Sequence, residues 1–229
     1  MAAVAWLVHL YTSLGALFAF FAVRDTFQYR YRNAFAWLAL AVFVDATDGW
    51  LARAARTKER IPSVDGNALD NIVDFLTYVF VPAVFVWRAQ LVPLGWTAWV
   101  CGAMLISSAY GFSRTDAKTS DHFFTGFPSY WNIVVLYLLL GGATQQFNGV
   151  ALAVLALLVF VPIRYVYPSR TPVLRGTTVA LGFAWAALIL LMLWQMPGVS
   201  RQLYWVSLLY PAYYVALSLT LSVQRRKAL

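Results

Sequence analysis

The sequence has 229 residues, of which 62% are hydrophobic and 11% are charged, and its mean hydropathy is +0.68. A typical soluble domain is about 45–50% apolar and about 25% charged, so this composition excludes an ordinary soluble enzyme, a disordered chain and a coiled coil. The single cysteine, Cys101, excludes a disulfide framework. The net charge of +8 comes from basic residues scattered over many loops, which argues against nucleic-acid binding. We therefore predict an integral membrane protein surrounded by membrane lipids.

Eight apolar runs follow one another along the chain and predict eight transmembrane helices. They cover residues 3–23, 34–51, 69–87, 94–112, 128–142, 150–165, 177–194 and 203–222. A helix that crosses the hydrocarbon core needs about 20 residues, so eight spans leave no room for a separate soluble domain. We predict an all-α polytopic helix bundle that forms a single transmembrane domain over residues 1–229. The first run has no basic residue before it, so we expect a retained span and not a cleaved signal peptide.

The basic residues predict the orientation of this bundle. With eight spans both termini lie on one side, and the loops and tail of that side carry twelve of the 17 Lys and Arg residues. By the positive-inside rule both termini are expected in the cytoplasm. Residues 24–32 are the contrary signal, and we interpret their arginines as snorkelling at the opposite interface.

Four aspartates lie inside or at the edge of apolar runs. Asp45 and Asp48 are three residues apart at the end of the second helix, and Asp70 and Asp74 are four apart at the start of the third. Each pair shares a helix face, so antiparallel helices would bring four carboxylates together near the cytoplasmic interface. Ionisable groups at such positions are expensive and mark functional sites by default. Divalent cations with oxygen ligands, Mg²⁺ or Mn²⁺, would relieve the repulsion, and no His or Cys nearby in the sequence favours zinc.

Small and basic residues accompany the aspartates. Gly49, Ala52 and Gly66 would allow a ligand to approach the backbone closely, and small-residue helix packing can be true of them at the same time. Arg53 has a fork geometry suited to phosphate, whereas the basic residues that follow it are typical of a positive-inside loop. Arg114 and Lys118, after the fourth helix, either bind a lipid phosphate or only set the topology.

The spacing of these residues resembles the signature of the CDP-alcohol phosphatidyltransferase family. All eight of its fixed positions are present, at Asp45, Asp48, Gly49, Ala52, Arg53, Gly66, Asp70 and Asp74. Twelve residues separate the arginine from the second glycine, a longer spacing than most members have. This spacing, with segments 125–132 and 161–169, is similar to the bacterial members whose acceptor is choline.

The resemblance implies that the phosphatidyl group of CDP-diacylglycerol is transferred to an alcohol and that CMP is released. It implies that the first three aspartates bind a pair of metal ions. Asp74 would also face the metal ions and would act as the base. It also implies that Gly49, Ala52 and Gly66 make room for cytidine and that Arg53 meets phosphate. Members of the family often form homodimers, and the bacterial ones reside in the inner membrane, with their active site facing the cytoplasm.

Choline is a quaternary ammonium with no N–H group, so aromatic faces are its natural partners. Tyr78 continues the Asp70–Asp74 stripe by one more turn and is our first candidate for a choline box. Tyr110, Tyr130 and Trp131 are further candidates near the ends of the fourth and fifth helices. Interfacial anchoring or packing explains each of these aromatic residues as well.

Three classes of function stay open from the sequence. They are phosphatidyl transfer to choline, the same chemistry with serine, inositol or glycerol phosphate, and ion-coupled transport through the aspartates. Transporters typically place such acids near the membrane midplane, between two structurally related halves of the chain. No internal repeat is visible in this sequence. A purely structural hydrogen-bond network is the remaining reading of the aspartates. We interpret His9 and His122 as packed or interfacial polar residues and not as ligands.

Overall fold

The computed structural model describes residues 2–117, 119 and 122–226. The described chain is a helical bundle with one small β ladder, which confirms the all-α prediction for its architecture. Its first half contains the helices α1 (Ala2–Phe27), α2 (Tyr31–Ala54), α3 (Thr57–Arg60), α4 (Gly66–Asp74), α5 (Val81–Arg88) and α6 (Thr97–Ser113). The second half contains β1 (Phe123–Thr125), α7 (Trp131–Gly141), α8 (Gln145–Leu158), β2 (Arg164–Val166), α9 (Arg175–Gln195), α10 (Arg201–Ser207) and α11 (Leu209–Arg226).

Five helical segments are long and apolar enough to cross a membrane. They cover residues 2–27, 31–54, 66–88, 175–195 and 201–224, and α7 and α8 are shorter apolar helices. Each of the eight predicted runs contains a helix, and the polytopic membrane bundle is confirmed as the fold class.

The fifth and sixth predicted helices are shorter than the apolar runs that suggested them. The fifth run begins at residue 128, but α7 begins at Trp131, and the sixth run extends to residue 165, but α8 ends at Leu158. Pro128 and Pro162 lie in the excluded parts, and proline neither donates a backbone hydrogen bond nor fits a helix interior. Hydropathy alone does not register this local restriction.

The N-terminal helices pack closely enough to hold a site between them. α1 packs along α2 and also contacts α4 and α5. Gly15 of α1 lies directly against the side chain of Val73 in α4, where an added Cβ would overlap Val73 Cγ1. Both α2 and α4 are therefore positioned by their contacts with α1.

A π-helical turn, Phe75–Phe80, joins α4 to α5 within the continuous segment 66–88. The hydroxyl of Thr77 is buried and donates to the carbonyl oxygen of Val73 at 3.1 Å. Such turns are rare and often occur at functional sites. This one follows Asp74 directly and contains Tyr78.

The ladder of β1 and β2 was not predicted from the sequence. The two strands are antiparallel, with Phe124 opposite Tyr165. Side chains of α11 complete the hydrogen bonding of β2, since Ser218 accepts from the Val166 N–H at 3.0 Å and Tyr214 donates to the Val166 carbonyl at 3.0 Å. The last helix is thereby attached to the loop segments that precede α7 and α9.

Candidate active site

Three of the four predicted aspartates converge at one point. α2 contributes Asp45, and α4 contributes Asp70 and Asp74 from successive turns. One carboxylate oxygen from each lies within 4.8 Å of the other two. Oxygen ligands of Mg²⁺ lie about 2.0–2.1 Å from the ion, so oxygens on opposite sides of one ion are about 4 Å apart. The spacing of this carboxylate cluster (Asp45, Asp70 and Asp74) fits a bound divalent ion, and the three residues could hold one.

The start of α4 is fixed by an aspartate that the sequence reading did not single out. Asp65 is the N-cap, and its Oδ1 accepts from the backbone N–H groups of Asn67 at 2.9 Å and Ala68 at 3.2 Å. An aspartate before a helix is a recognisable N-cap signal. The cap determines where α4 begins and hence the direction in which Asp70 and Asp74 point.

Asp48 lies one turn from Asp45 and has a partner of its own on α1. The Thr12 hydroxyl donates to Asp48 Oδ2 at 2.8 Å, and the Asp48 side chain is only 6% exposed. Asp48 and Asp70 line the same cavity. The fourth carboxylate is thus held beside the cluster, although the grouping within 4.8 Å contains only the other three.

The cavity beside the cluster has a volume of about 450 Å³. It lies between α1, the end of α2, α3 and the start of α4. The predicted nucleotide and phosphate residues all line it, namely Gly49, Ala52, Arg53 and Gly66. Arg56 and Lys58 add positive charge to its wall. Carboxylates, cations and small residues therefore surround one space.

Gly66 has a neighbour that explains its lack of a side chain. A Cβ at this position would lie 3.3 Å from His9 Cε1, which is closer than side chains normally approach. A Cβ at Gly49 would meet Arg53 Nη1 at 3.5 Å, an ordinary contact. Packing against His9 therefore explains, at least in part, why residue 66 is a glycine. Gly49 lines the cavity without a side chain that would occupy it.

Tyr78 lies against the carboxylate cluster, as its place on the α4 stripe predicts. Its hydroxyl donates to Asp45 Oδ2 at 2.7 Å. Its ring centroid lies 6.1 Å from that of Tyr130, which lies 6.4 Å from the ring of Tyr214 in α11. Tyr165 of β2 stacks on Tyr214 at 6.3 Å. We call these four residues the tyrosine row, and the sequence reading had included only its first two members.

The other two aromatic candidates have different surroundings. Tyr110 is 48% exposed, and its ring lies 5.0 Å from that of Phe160. Trp131 is fully buried in the core, where its indole N–H donates to Ser108 Oγ at 2.7 Å. The structure brings Tyr78 and Tyr130 together, and it gives Tyr110 and Trp131 these other contacts.

Arg114 pairs with a carboxylate next to it in the sequence. Its Nη2 lies 2.7 Å from Asp116 Oδ2. The hydrogen bond from this guanidinium lowers the pKa of the exposed Asp116 carboxyl below its usual value. Lys118, the other predicted lipid-phosphate ligand, lies outside the described residues.

Fold and site together define an integral membrane protein whose helices carry a carboxylate site suited to a divalent cation. No protein-family model matches the chain. It is 42% identical to a phosphatidylcholine synthase of Legionella pneumophila over 176 residues, which are 76% of this chain and 69% of the relative. It is 36% identical to that of Borreliella burgdorferi over 76% of this chain and 75% of the relative. It is 34% identical to that of Pseudomonas aeruginosa over 85% of this chain and 82% of the relative. The chain belongs to the phosphatidylcholine synthase family.

Proposed function

We propose that this protein transfers the phosphatidyl group of CDP-diacylglycerol to choline, forming phosphatidylcholine and CMP. The observation that carries the proposal is the convergence of Asp45, Asp70 and Asp74 beside a polar cavity, in a chain similar to phosphatidylcholine synthases. Phosphoryl transfer requires mainly positioning and charge neutralisation, which such a site supplies.

In the reaction, the choline hydroxyl oxygen forms a bond to the phosphorus that carries the diacylglycerol. The bond from this phosphorus to the bridging oxygen breaks, and CMP leaves with the electron pair. Asp74 takes the hydroxyl proton, a role that fits a carboxylate one turn beyond Asp70 on the stripe that leads to Tyr78.

Different residues of the chain bind different parts of the substrate. Asp45, Asp48, Asp70 and Asp74 would hold Mg²⁺ or Mn²⁺, and we propose a pair of ions. When bound, divalent ions neutralise the diphosphate and the charge that develops on the departing CMP. Arg53 binds phosphate oxygens from the cavity wall, and the nucleoside lies along the small residues. Arg114 and Lys118 are proposed to meet the phosphate of the lipid.

The tyrosine row supports choline as the acceptor. Tyr78 and Tyr130 place aromatic faces beside Asp45, where the head of the acceptor would lie. A cation over an aromatic face is stabilised by about 0.5–2 kcal/mol, and more where water is excluded. A hydroxylated acceptor such as inositol or serine would instead need hydrogen-bonding partners for its polar groups.

The purified protein, supplied with CDP-diacylglycerol and labelled choline, serine, inositol or glycerol phosphate, tests the proposal directly. We expect phosphatidylcholine and CMP in equal amounts, loss of turnover in EDTA, and recovery with Mn²⁺ or Mg²⁺. A higher rate with serine or inositol would refute choline as the acceptor but would still support phosphatidyl transfer. Full activity in EDTA would refute the metal site, and no product with any alcohol would refute the transferase.

We further propose that the protein is a homodimer in the bacterial inner membrane with its site open to the cytoplasm. Twelve of the 17 basic residues support this orientation. In a Cys101→Ser background, Ser63→Cys in the exposed α3–α4 loop should react with an impermeant maleimide in inverted vesicles only. Labelling from the outside of intact cells would reverse the orientation. Crosslinking and mass measurement in detergent test the dimer.

A further inference from the structure

His9 is a buried polar residue with an unused hydrogen-bonding atom. It lies on α1, its side chain is only 7% exposed, and within the described part of the chain its Nε2 has no hydrogen-bond partner. Buried polar side-chain atoms nearly always have a partner, because an unmade hydrogen bond is costly. The packed-polar reading of His9 leaves this nitrogen unexplained.

The position of His9 indicates where its partner would come from. The residue lines the 450 Å³ cavity of the candidate site, and its Cε1 faces Gly66. Thr12, one turn further along α1, donates to Asp48 on the same cavity wall. α1 therefore presents the His9 imidazole to a cavity whose other polar lining residues are mostly charged.

The wall of the cavity offers two kinds of group. Arg53, Arg56 and Lys58 suit the anionic diphosphate. His9 and Gly66 lie side by side on the wall, and an imidazole beside a backbone without a side chain suits a flat ring with polar edges. Of the groups that the proposed reaction brings in, only the nucleoside base has this chemistry, since choline and the acyl chains carry no such edge.

We propose that His9 hydrogen-bonds the cytosine edge of the bound nucleotide and is a specificity-determining residue of the site. An imidazole nitrogen can donate or accept a hydrogen bond, and cytosine offers both acceptors and an amino donor. Gly66 is required in this arrangement because a side chain there would press on the imidazole. The inference rests on the proposed function, since it presumes a cytidine nucleotide.

The test compares His9→Leu, which removes both nitrogens, with His9→Gln, which keeps a donor and an acceptor. Binding of CMP and UMP to the purified protein is measured by calorimetry, and the Michaelis constants of CDP-diacylglycerol and choline by turnover. For His9→Leu we expect CMP binding and the CDP-diacylglycerol constant to weaken about tenfold, with choline changed less than about twofold. The preference for CMP over UMP should largely disappear, and His9→Gln should restore part of it.

Tyr11→Phe is the matched control, because Tyr11 lies on the same helix and its hydroxyl bonds Thr47 at 2.8 Å outside the cavity lining. It should bind both nucleotides as the unchanged protein does. A folded His9→Leu protein that keeps the preference for CMP over UMP would overturn the inference. If His9→Leu does not fold, a folded His9→Gln protein without that preference would overturn it. A wild-type protein that makes no phosphatidylcholine would instead overturn the proposed function.

Discussion

At the scale of single residues, the carboxylate cluster determines what the site can bind. Three carboxylate oxygens within 4.8 Å of one another repel strongly in a partly buried setting unless a cation lies among them. Asp45→Asn, Asp70→Asn and Asp74→Asn should each therefore reduce turnover by at least about 10²-fold, through lost metal binding or, for Asp74, a lost base. Turnover at saturating Mn²⁺ measures the effect, and metal titration separates the two causes.

Asp65→Asn is the matched control for these variants. It removes a negative charge at the start of the helix that carries Asp70 and Asp74, but asparagine caps helices as well as aspartate does, so α4 should still begin at Gly66. Activity should stay near that of the unchanged protein. An equal loss in Asp65→Asn would show that general charge near the site, and not ligation, governs turnover.

Tyr78 combines two contributions that two substitutions can separate. Its hydroxyl donates to Asp45 Oδ2, and its ring faces Tyr130. Loss of a hydrogen bond to a metal ligand typically costs 10–100-fold in metal affinity or activity, so Tyr78→Phe should raise the Mn²⁺ requirement by about that factor. Tyr78→Ala should raise the choline Michaelis constant in addition. If Tyr78→Phe needs no more Mn²⁺ than the unchanged protein, the hydroxyl does not serve the metal site.

The helical spacing of Asp70, Asp74 and Tyr78 was sufficient to predict that one face carries all three. The bond between Tyr78 and Asp45 could not be predicted, because it depends on the relative height of α2 and α4 along their axes. The π-helical turn that contains Tyr78 also changes the angular spacing that an α-helical pattern assumes.

At the scale of elements, the contact between α1 and α4 fixes the position of α4 and therefore of the carboxylates that it carries. Gly15 lies against Val73, a buried β-branched residue next to Asp74 that has little rotamer freedom. Gly15→Ala would force the two helices apart. Overpacking of this kind typically costs about 1–3 kcal/mol, so we expect a lower unfolding midpoint and reduced turnover together.

A second substitution identifies the cause. Val73→Ala removes the overlapping methyl groups, so Gly15→Ala/Val73→Ala should recover most of the midpoint and activity that Gly15→Ala loses. Gly102→Ala in α6 adds a methyl group to open space, so it should leave the free energy of unfolding unchanged or raise it by up to about 1 kcal/mol, because alanine favours a helix interior. Additive losses in the double variant would contradict the packing explanation.

The apolar runs were sufficient to predict the helices, since burial in lipid demands continuous hydrophobic segments. The β1–β2 ladder was missed because three-residue strands have no periodicity to detect. Their pairing depends on α11, whose Ser218 and Tyr214 lie 52 and 48 residues along the chain from the backbone groups that they bind.

At the scale of the whole molecule, the tyrosine row joins the two halves of the chain at the site. The aspartates that could hold a metal ion come from α2 and α4, whereas Tyr214 and Tyr165 come from α11 and β2. The family signature lies within residues 45–74 and carries no information about these partners. Only the fold shows that the C-terminal helix brings Tyr214 next to Tyr130, where we propose that the acceptor binds.

Tyr214→Ala tests whether the last helix contributes to acceptor binding. Removal of its ring leaves Tyr130 without an aromatic neighbour on that side and Tyr165 without its stacking partner. The choline Michaelis constant should rise about tenfold, a change that corresponds to one cation–π contact, while that of CDP-diacylglycerol stays within about twofold. Tyr214→Phe should preserve choline binding, since it keeps the ring and removes only the hydroxyl, which bonds the Val166 carbonyl and the Tyr130 hydroxyl.

Tyr213→Ala is the matched control on the same helix, because the Tyr213 hydroxyl bonds Thr178 of α9 and its ring lies beside Tyr210, which is not a member of the tyrosine row. Initial rates at varied choline and fixed Mn²⁺ distinguish the two positions. Equal increases in Tyr213→Ala and Tyr214→Ala would indicate that loosened packing of α11 is responsible. An unchanged choline constant in Tyr214→Ala would restrict the acceptor site to Tyr78 and Tyr130, because the quaternary ammonium would then gain nothing from the C-terminal helix.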